Sequence, residues 1–127
     1  SSGSPPEFMH GPTFMANPLA CAAGCASLEL FSEYDWRGNV KAIERQLRSE
    51  LEELRNLPNV KDVRTLGAVG VAELASTPSP ETVQRIVRET GVWLRPFGPW
   101  LYTMPPFVAS PEELTRITRA MRAIALA

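Results

Sequence analysis

From Leu19 to Ala26 the chain carries no charged side chain, and the residues before it are those of a helix start. Asn17 is an N-cap residue, and Pro18 suits the first helical position, where no backbone N–H is needed. The predicted helix runs from about Pro18 to Phe31 or Ser32. A helix that is apolar all round has no face to offer water, so it is expected to be buried on every side. Gly24 in its middle costs about 1 kcal/mol against alanine, and close approach of another backbone is the expected reason for it. A hydroxyl, Thr13, precedes a helix N-terminus whose N–H groups carry partial positive charge, an arrangement that can hold a phosphate. The same residues also suit an ordinary capped core helix, and both readings stand at this point.

The 127 residues support one domain with a modest core. Net charge is −1, with acids and bases interspersed, which argues against nucleic-acid or membrane-surface partners. No apolar run is long enough to span a bilayer, and no signal peptide is recognisable. Cys21 and Cys25 stand one helical turn apart without a His/Cys partner set. That pattern is expected to give small buried apolar groups in a reducing, cytoplasmic compartment, with no metal site. Ser1 to Phe8 reads as a tag linker and cloning scar, leaving 9–127 as a single α+β domain.

Asp35 can cap a second helix from Trp36 to about Leu57, where Val40, Ile43, Leu47, Leu51, Leu54 and Leu57 form one apolar stripe. Glu44 and Arg48, then Arg48 and Glu52, are spaced for ion pairs on its exposed side. Val60–Leu66 and Val69–Leu74 read as an antiparallel hairpin with Gly67 and Gly70 around the turn. Ser79-Pro80-Glu81 opens a third helix, which buries Val83, Ile86 and Val87 and stops at Gly91. Val92–Phe97 and Trp100–Met104 read as two further strands around Gly98-Pro99. Ser110-Pro111-Glu112-Glu113 is a capping box for a last helix that buries Leu114, Ile117, Met121 and Ile124 and exposes Arg116, Arg119 and Arg122. The predicted fold class is α+β: a small antiparallel sheet covered by helices.

Arg95 is the charge of most interest. In a strand it shares a face with Trp93 and Phe97, and an arginine between aromatics can stack on them and present a planar fork to a carboxylate. An arginine snorkelling to water from a strand edge is the alternative. His10, the single histidine, has no placed partner and is given no catalytic role.

His10-Gly11-Pro12-Thr13-Phe14-Met15-Ala16-Asn17-Pro18-Leu19-Ala20-Cys21-Ala22 resembles a signature of the class III aminotransferases, which depend on pyridoxal phosphate. Pro12, Met15 and Ala16 make it similar, within them, to the branch that forms 7,8-diaminononanoate in biotin synthesis with S-adenosylmethionine as amino donor. Gly91-Val92-Trp93-Leu94-Arg95-Pro96-Phe97-Gly98 and Leu101-Tyr102-Thr103-Met104-Pro105-Pro106 carry the same likeness, while Gly98-Pro99-Trp100 departs from it. The resemblance implies the C-terminal small domain of a fold-type I pyridoxal-phosphate enzyme. It implies that Arg95 binds the substrate carboxylate with Tyr102 nearby. It implies that Thr13 contacts the cofactor phosphate of a neighbouring subunit, with Pro12 lining that site.

An aminotransferase of this kind also needs a lysine to bond the cofactor and an acid to hold its pyridine nitrogen. Lys41 and Lys61 are the only lysines, and neither sits in a recognisable apolar pocket. The resemblance puts both missing groups in a large domain preceding Met9. The expectation is a C-terminal portion, inactive alone, with no catalytic residue of its own and no covalent cofactor. It would form a homo-oligomer, most simply a dimer, through the apolar first helix, besides meeting the large domain. A freestanding carboxylate-binding or protein-interaction module is the rival from another class, and a class III aminotransferase acting on a different amine is a third reading.

Overall fold

The computed structural model describes residues 11, 13 and 15–127. His10 and Pro12 therefore lie outside the described residues. The chain divides into two compact units, Ser1–Asp35 and Trp36–Ala127.

The described part of the first unit is mainly one helix, α1 (Pro18–Glu33). Its start is as expected: the Asn17 side chain accepts from the Ala20 N–H at 3.1 Å, and proline follows it. Ala16 precedes this cap in the left-handed region, at φ 58°. The two cysteines depart from the burial expected of them. α1 holds no buried residue, and Cys21 and Cys25 are both exposed. A β-carbon added at Gly24 would meet nothing within 4 Å. An apolar helix cannot cover itself, so this surface suits contact with another one.

In the second unit the core is built where periodicity predicts. α2 (Trp36–Glu52) buries Ile43, Leu47 and Leu51 along one stripe. It ends earlier than expected, because Glu53–Asn56 tightens into a 3₁₀ turn that still buries Leu54. A tighter last turn is a common way to close a helix before a proline, here Pro58. Arg48 pairs with Glu44 at 2.8 Å, whereas Glu52 pairs with Arg55 at 2.9 Å. β1 (Val60–Leu66) and β2 (Val69–Leu74) form the expected antiparallel hairpin, with Gly67 at φ 55° in its turn. α3 (Pro80–Thr90) starts at a Ser79 cap and ends at Gly91, whose φ of 67° needs a residue without a β-carbon.

Only one of the two later strands exists. β3 (Trp100–Thr103) pairs antiparallel with β2, giving the order β1-β2-β3. Residues 92–96 run without ladder partners, and Phe97 makes a single bridge to Trp100. The alternation of apolar residues is still used there: Leu94 is buried while Trp93 and Arg95 are exposed. Burial alternation sets which way side chains point. It does not supply a neighbouring edge to pair with, which is why the strand expectation fails.

α4 (Pro111–Leu126) begins with the predicted capping box: Ser110 Oγ accepts from the Glu113 N–H, and the Glu113 carboxylate accepts from the Ser110 N–H. It buries Leu114, Met121 and Ile124, together with Thr118, Ala120 and Ala125, and Ile117 is only partly buried. The inner row of the sheet, Val63, Ala72 and Leu101 in register, packs into the same apolar cluster as α2 and α4. The outer row, Arg64, Val71 and Tyr102, faces the other way. Among the described residues the fold is thus α+β, with a three-stranded antiparallel sheet and four α-helices.

Candidate functional site

Arg95 is positioned by the turn that ends α3. The Gly91 N–H donates to Val87 O at 2.9 Å, and Thr90 Oγ1 donates to Ile86 O at 2.7 Å while accepting from the Val92 N–H at 3.3 Å. Beyond Arg95, Phe97 and Trp100 exchange backbone hydrogen bonds of 2.9 and 3.1 Å around Gly98, which sits at φ 58°. Pro99 O accepts from the Leu74 N–H at 2.8 Å, tying this turn to β2. With Leu94 in the core, the segment is held at both ends and in the middle.

A cavity of about 540 Å³ opens beside it, lined by Arg95, Tyr102, Trp93, Met104, Glu113 and Arg116 among others. The structure therefore brings together Arg95 and Tyr102. The aromatic sandwich expected around Arg95 does not form. Phe97 stacks on Trp100 instead, with centroids 6.0 Å apart, because the hairpin-like bridge at Gly98-Pro99 turns it that way. Among the described residues Arg95 makes no ion pair or hydrogen bond, so its fork is free to bind an anion.

Arg116 and Glu113 were not singled out by the sequence. Periodicity placed Arg116 on the exposed face of α4, and it is exposed, but that face borders the cavity. Its guanidinium donates to Thr90 O at 3.4 Å, a long contact. Glu113, whose carboxylate accepts from the Ser110 N–H in the capping box, is the acid that borders the same cavity. No sequence spacing signals this meeting, since it depends on how α4 crosses the end of α3.

Thr13 lies in an exposed turn of the first unit, before the Asn17 cap. It offers one hydroxyl to a phosphate, and one of the helix's first N–H groups, that of Ala20, is already taken by Asn17. The two lysines stand apart from the Arg95 cavity. Lys41 and Lys61 are exposed on α2 and β1, and neither borders the Arg95 cavity. No group of three or more metal-ligating side chains occurs among the described residues.

The chain is similar to known proteins along most of its length. A family profile described as Aminotransferase class-III matches residues 1–125. Adenosylmethionine-8-amino-7-oxononanoate aminotransferase of Corynebacterium glutamicum is 48% identical over 115 residues, covering 91% of this chain and 27% of that protein. The protein of the same name from Mycobacterium leprae is 44% identical, covering 98% of this chain and 29% of its own length. The crystal structure of the Methanocaldococcus jannaschii protein of that name superposes with a TM-score of 0.74 at 26% identity, over 94% of this chain and 30% of that one. An ornithine aminotransferase from Toxoplasma gondii, described with partial occupancy of PLP at its active site, gives 0.75 at 27% identity, over 94% of this chain and 29% of that one. The chain thus spans less than a third of the length of these relatives. With a family match along nearly its whole length and the fold to go with it, this chain belongs to the class III aminotransferases, enzymes built around pyridoxal phosphate.

Proposed function

We propose that residues 9–127 form the substrate-side C-terminal domain of an aminotransferase that converts 8-amino-7-oxononanoate to 7,8-diaminononanoate, with S-adenosylmethionine as amino donor. The observation that carries the reading is the Arg95 guanidinium, unpartnered among the described residues and bordering a cavity with Tyr102. The names of the relatives support the substrate.

Each residue has a limited task. Arg95 holds the carboxylate end of the substrate with two parallel hydrogen bonds, which orients the chain and fixes its register. Tyr102 walls the same cavity and offers a phenol to a polar group of the substrate. Thr13 donates its hydroxyl to the cofactor phosphate of a neighbouring subunit, beside Pro12. Pyridoxal phosphate, when bound, supplies the electron sink for amino transfer. The lysine and acid that serve it come from a large domain outside these residues. The protein acts in the cytoplasm; no described helix is long and apolar enough to cross a membrane.

The test has two arms. Calorimetry should detect 8-amino-7-oxononanoate binding to the chain, and Arg95→Lys should weaken it by about 1.5–3 kcal/mol, since lysine keeps the charge but loses the fork. Equal binding by both proteins would remove Arg95 from the site. Added pyridoxal phosphate should give no lysine-linked absorbance band reducible by borohydride. Appearance of that band would overturn the assignment of the covalent chemistry to residues beyond this chain.

A further inference from the structure

Arg95 borders a second concavity. A groove of about 760 Å³ is lined by the 93–98 segment and by α3. Its walls are mainly apolar, with Val83 and Val87 from α3, Trp93, and the prolines at 78, 80 and 96. That volume lies within the range of small-molecule sites. Two guanidiniums border it, Arg88 in the last turn of α3 and Arg95, and no aspartate or glutamate does.

Neither guanidinium is satisfied by the chain. The neighbouring pairs are made by others: Arg85 binds Glu89 at 3.1 Å, and Arg116 reaches Thr90 O. Arg88 and Arg95 have no ion pair or hydrogen bond among the described residues. A cation in the last turn of a helix is favoured by the helix dipole, which accounts for Arg88 as a charge. The dipole does not account for a second unpartnered arginine beside the same apolar groove. Trp93 is 80% exposed, an unusual state for a large aromatic with nothing over it.

We propose that this groove binds an aliphatic chain carrying a carboxylate at each end, one end at Arg88 and the other at Arg95, with the methylenes over Trp93, Val83 and Val87. The charge complementarity is one-sided: two positive forks, an apolar floor and no acid to compensate them. A neutral chain would leave both forks without partners, and a monocarboxylate would satisfy only one. The inference goes beyond the proposed reaction and does not depend on it, because Arg88 and α3 border this groove and not the Tyr102 cavity. The two sites share Arg95, so a dicarboxylate in the groove and a keto acid in the Tyr102 cavity exclude each other.

The experiment is calorimetry on the full chain with linear dicarboxylates of increasing length, each matched to the monocarboxylate of the same carbon number, followed also by tryptophan fluorescence. One dicarboxylate length should bind about tenfold or more tighter than its monocarboxylate, and Arg88→Gln should abolish that advantage. Trp93→Phe should remove the fluorescence response while binding persists by calorimetry. Arg88→Gln should leave 8-amino-7-oxononanoate binding unchanged, whereas Arg95→Lys should weaken both ligands. No binding of any dicarboxylate would overturn the proposal. So would equal affinity for matched mono- and dicarboxylates, or an Arg88→Gln protein that keeps the preference. Failure of keto-acid binding alone would instead count against the aminotransferase role of Arg95.

Discussion

Gly70 is the position where one added methyl group tests the packing of the core most directly. It is the second residue of β2, and its backbone is not in the left-handed region that requires glycine. A β-carbon there would lie 2.6 Å from Leu51 Cδ1, 3.5 Å from Thr103 Cγ2 and 3.6 Å from Leu47 Cδ1. Carbon atoms pack at about 3.5–4.0 Å, so the Leu51 methyl must retreat by about 1 Å. Leu51 and Leu47 are both at 0% exposure and belong to the apolar core. Overpacking of this kind costs about 1–3 kcal/mol. Restricting the unfolded chain by replacing glycine with alanine returns about 0.4–1 kcal/mol. Gly70→Ala should therefore destabilise the protein by about 0.5–2 kcal/mol. The assay is urea unfolding followed by circular dichroism, with Leu51→Val and the double variant completing a cycle. Shortening Leu51 should relieve the clash, so the two changes should couple by at least about 0.5 kcal/mol. A Gly70→Ala protein as stable as the parent, or costs that simply add, would refute the account of this contact.

Glu50 joins α2 to α4. Burial acts to raise its pKa, but hydrogen bonds from Thr118, Thr115 and Gln46 and the charge of Arg119 outweigh it, so the carboxyl is held below its ordinary value. A folded pKa below the unfolded one means the contribution is present above the ordinary carboxylate range and lost as pH falls through the folded value. Thr118→Val should cost about 1–2 kcal/mol at neutral pH and less in acid, measured by urea midpoints from about pH 7 to about pH 3. Ser110→Ala removes one half of the capping box on α4 and should cost about 1 kcal/mol, read as a melting temperature lower by roughly 4–8 °C. α1 leaves Leu19, Leu28 and Leu30 at 59–80% exposure, so the chain should self-associate with rising concentration, and Leu28→Asp should reduce this in light scattering. A strictly monomeric parent at high concentration would contradict that use of α1.

The sequence by itself determined the local punctuation of this chain. Asn17-Pro18, Ser79-Pro80 and Ser110-Pro111 start helices where they stand, because a cap and an N1 proline act within one turn. The apolar stripes of α2 and α4 and the β1–β2 hairpin are equally legible, since 3.6-residue periodicity and a tight glycine turn are short-range signals. Arg95 and Tyr102 were readable as candidates from the motifs around them.

Only the tertiary structure decided who meets whom. Val92–Phe97 alternates like a strand, yet no edge is offered to it, and ladder hydrogen bonds need a partner as well as a pattern. Gly70 looked like part of a turn, but it is glycine beside Leu51, a contact spanning nineteen positions of separation that no local rule contains. The approach of Arg116 to Thr90, and of Arg88 and Arg95 to one groove, depends on helix placement in space. α1 marks the other limit: its composition favours burial, yet none of its residues is buried, because burial depends on a second surface and composition does not supply one.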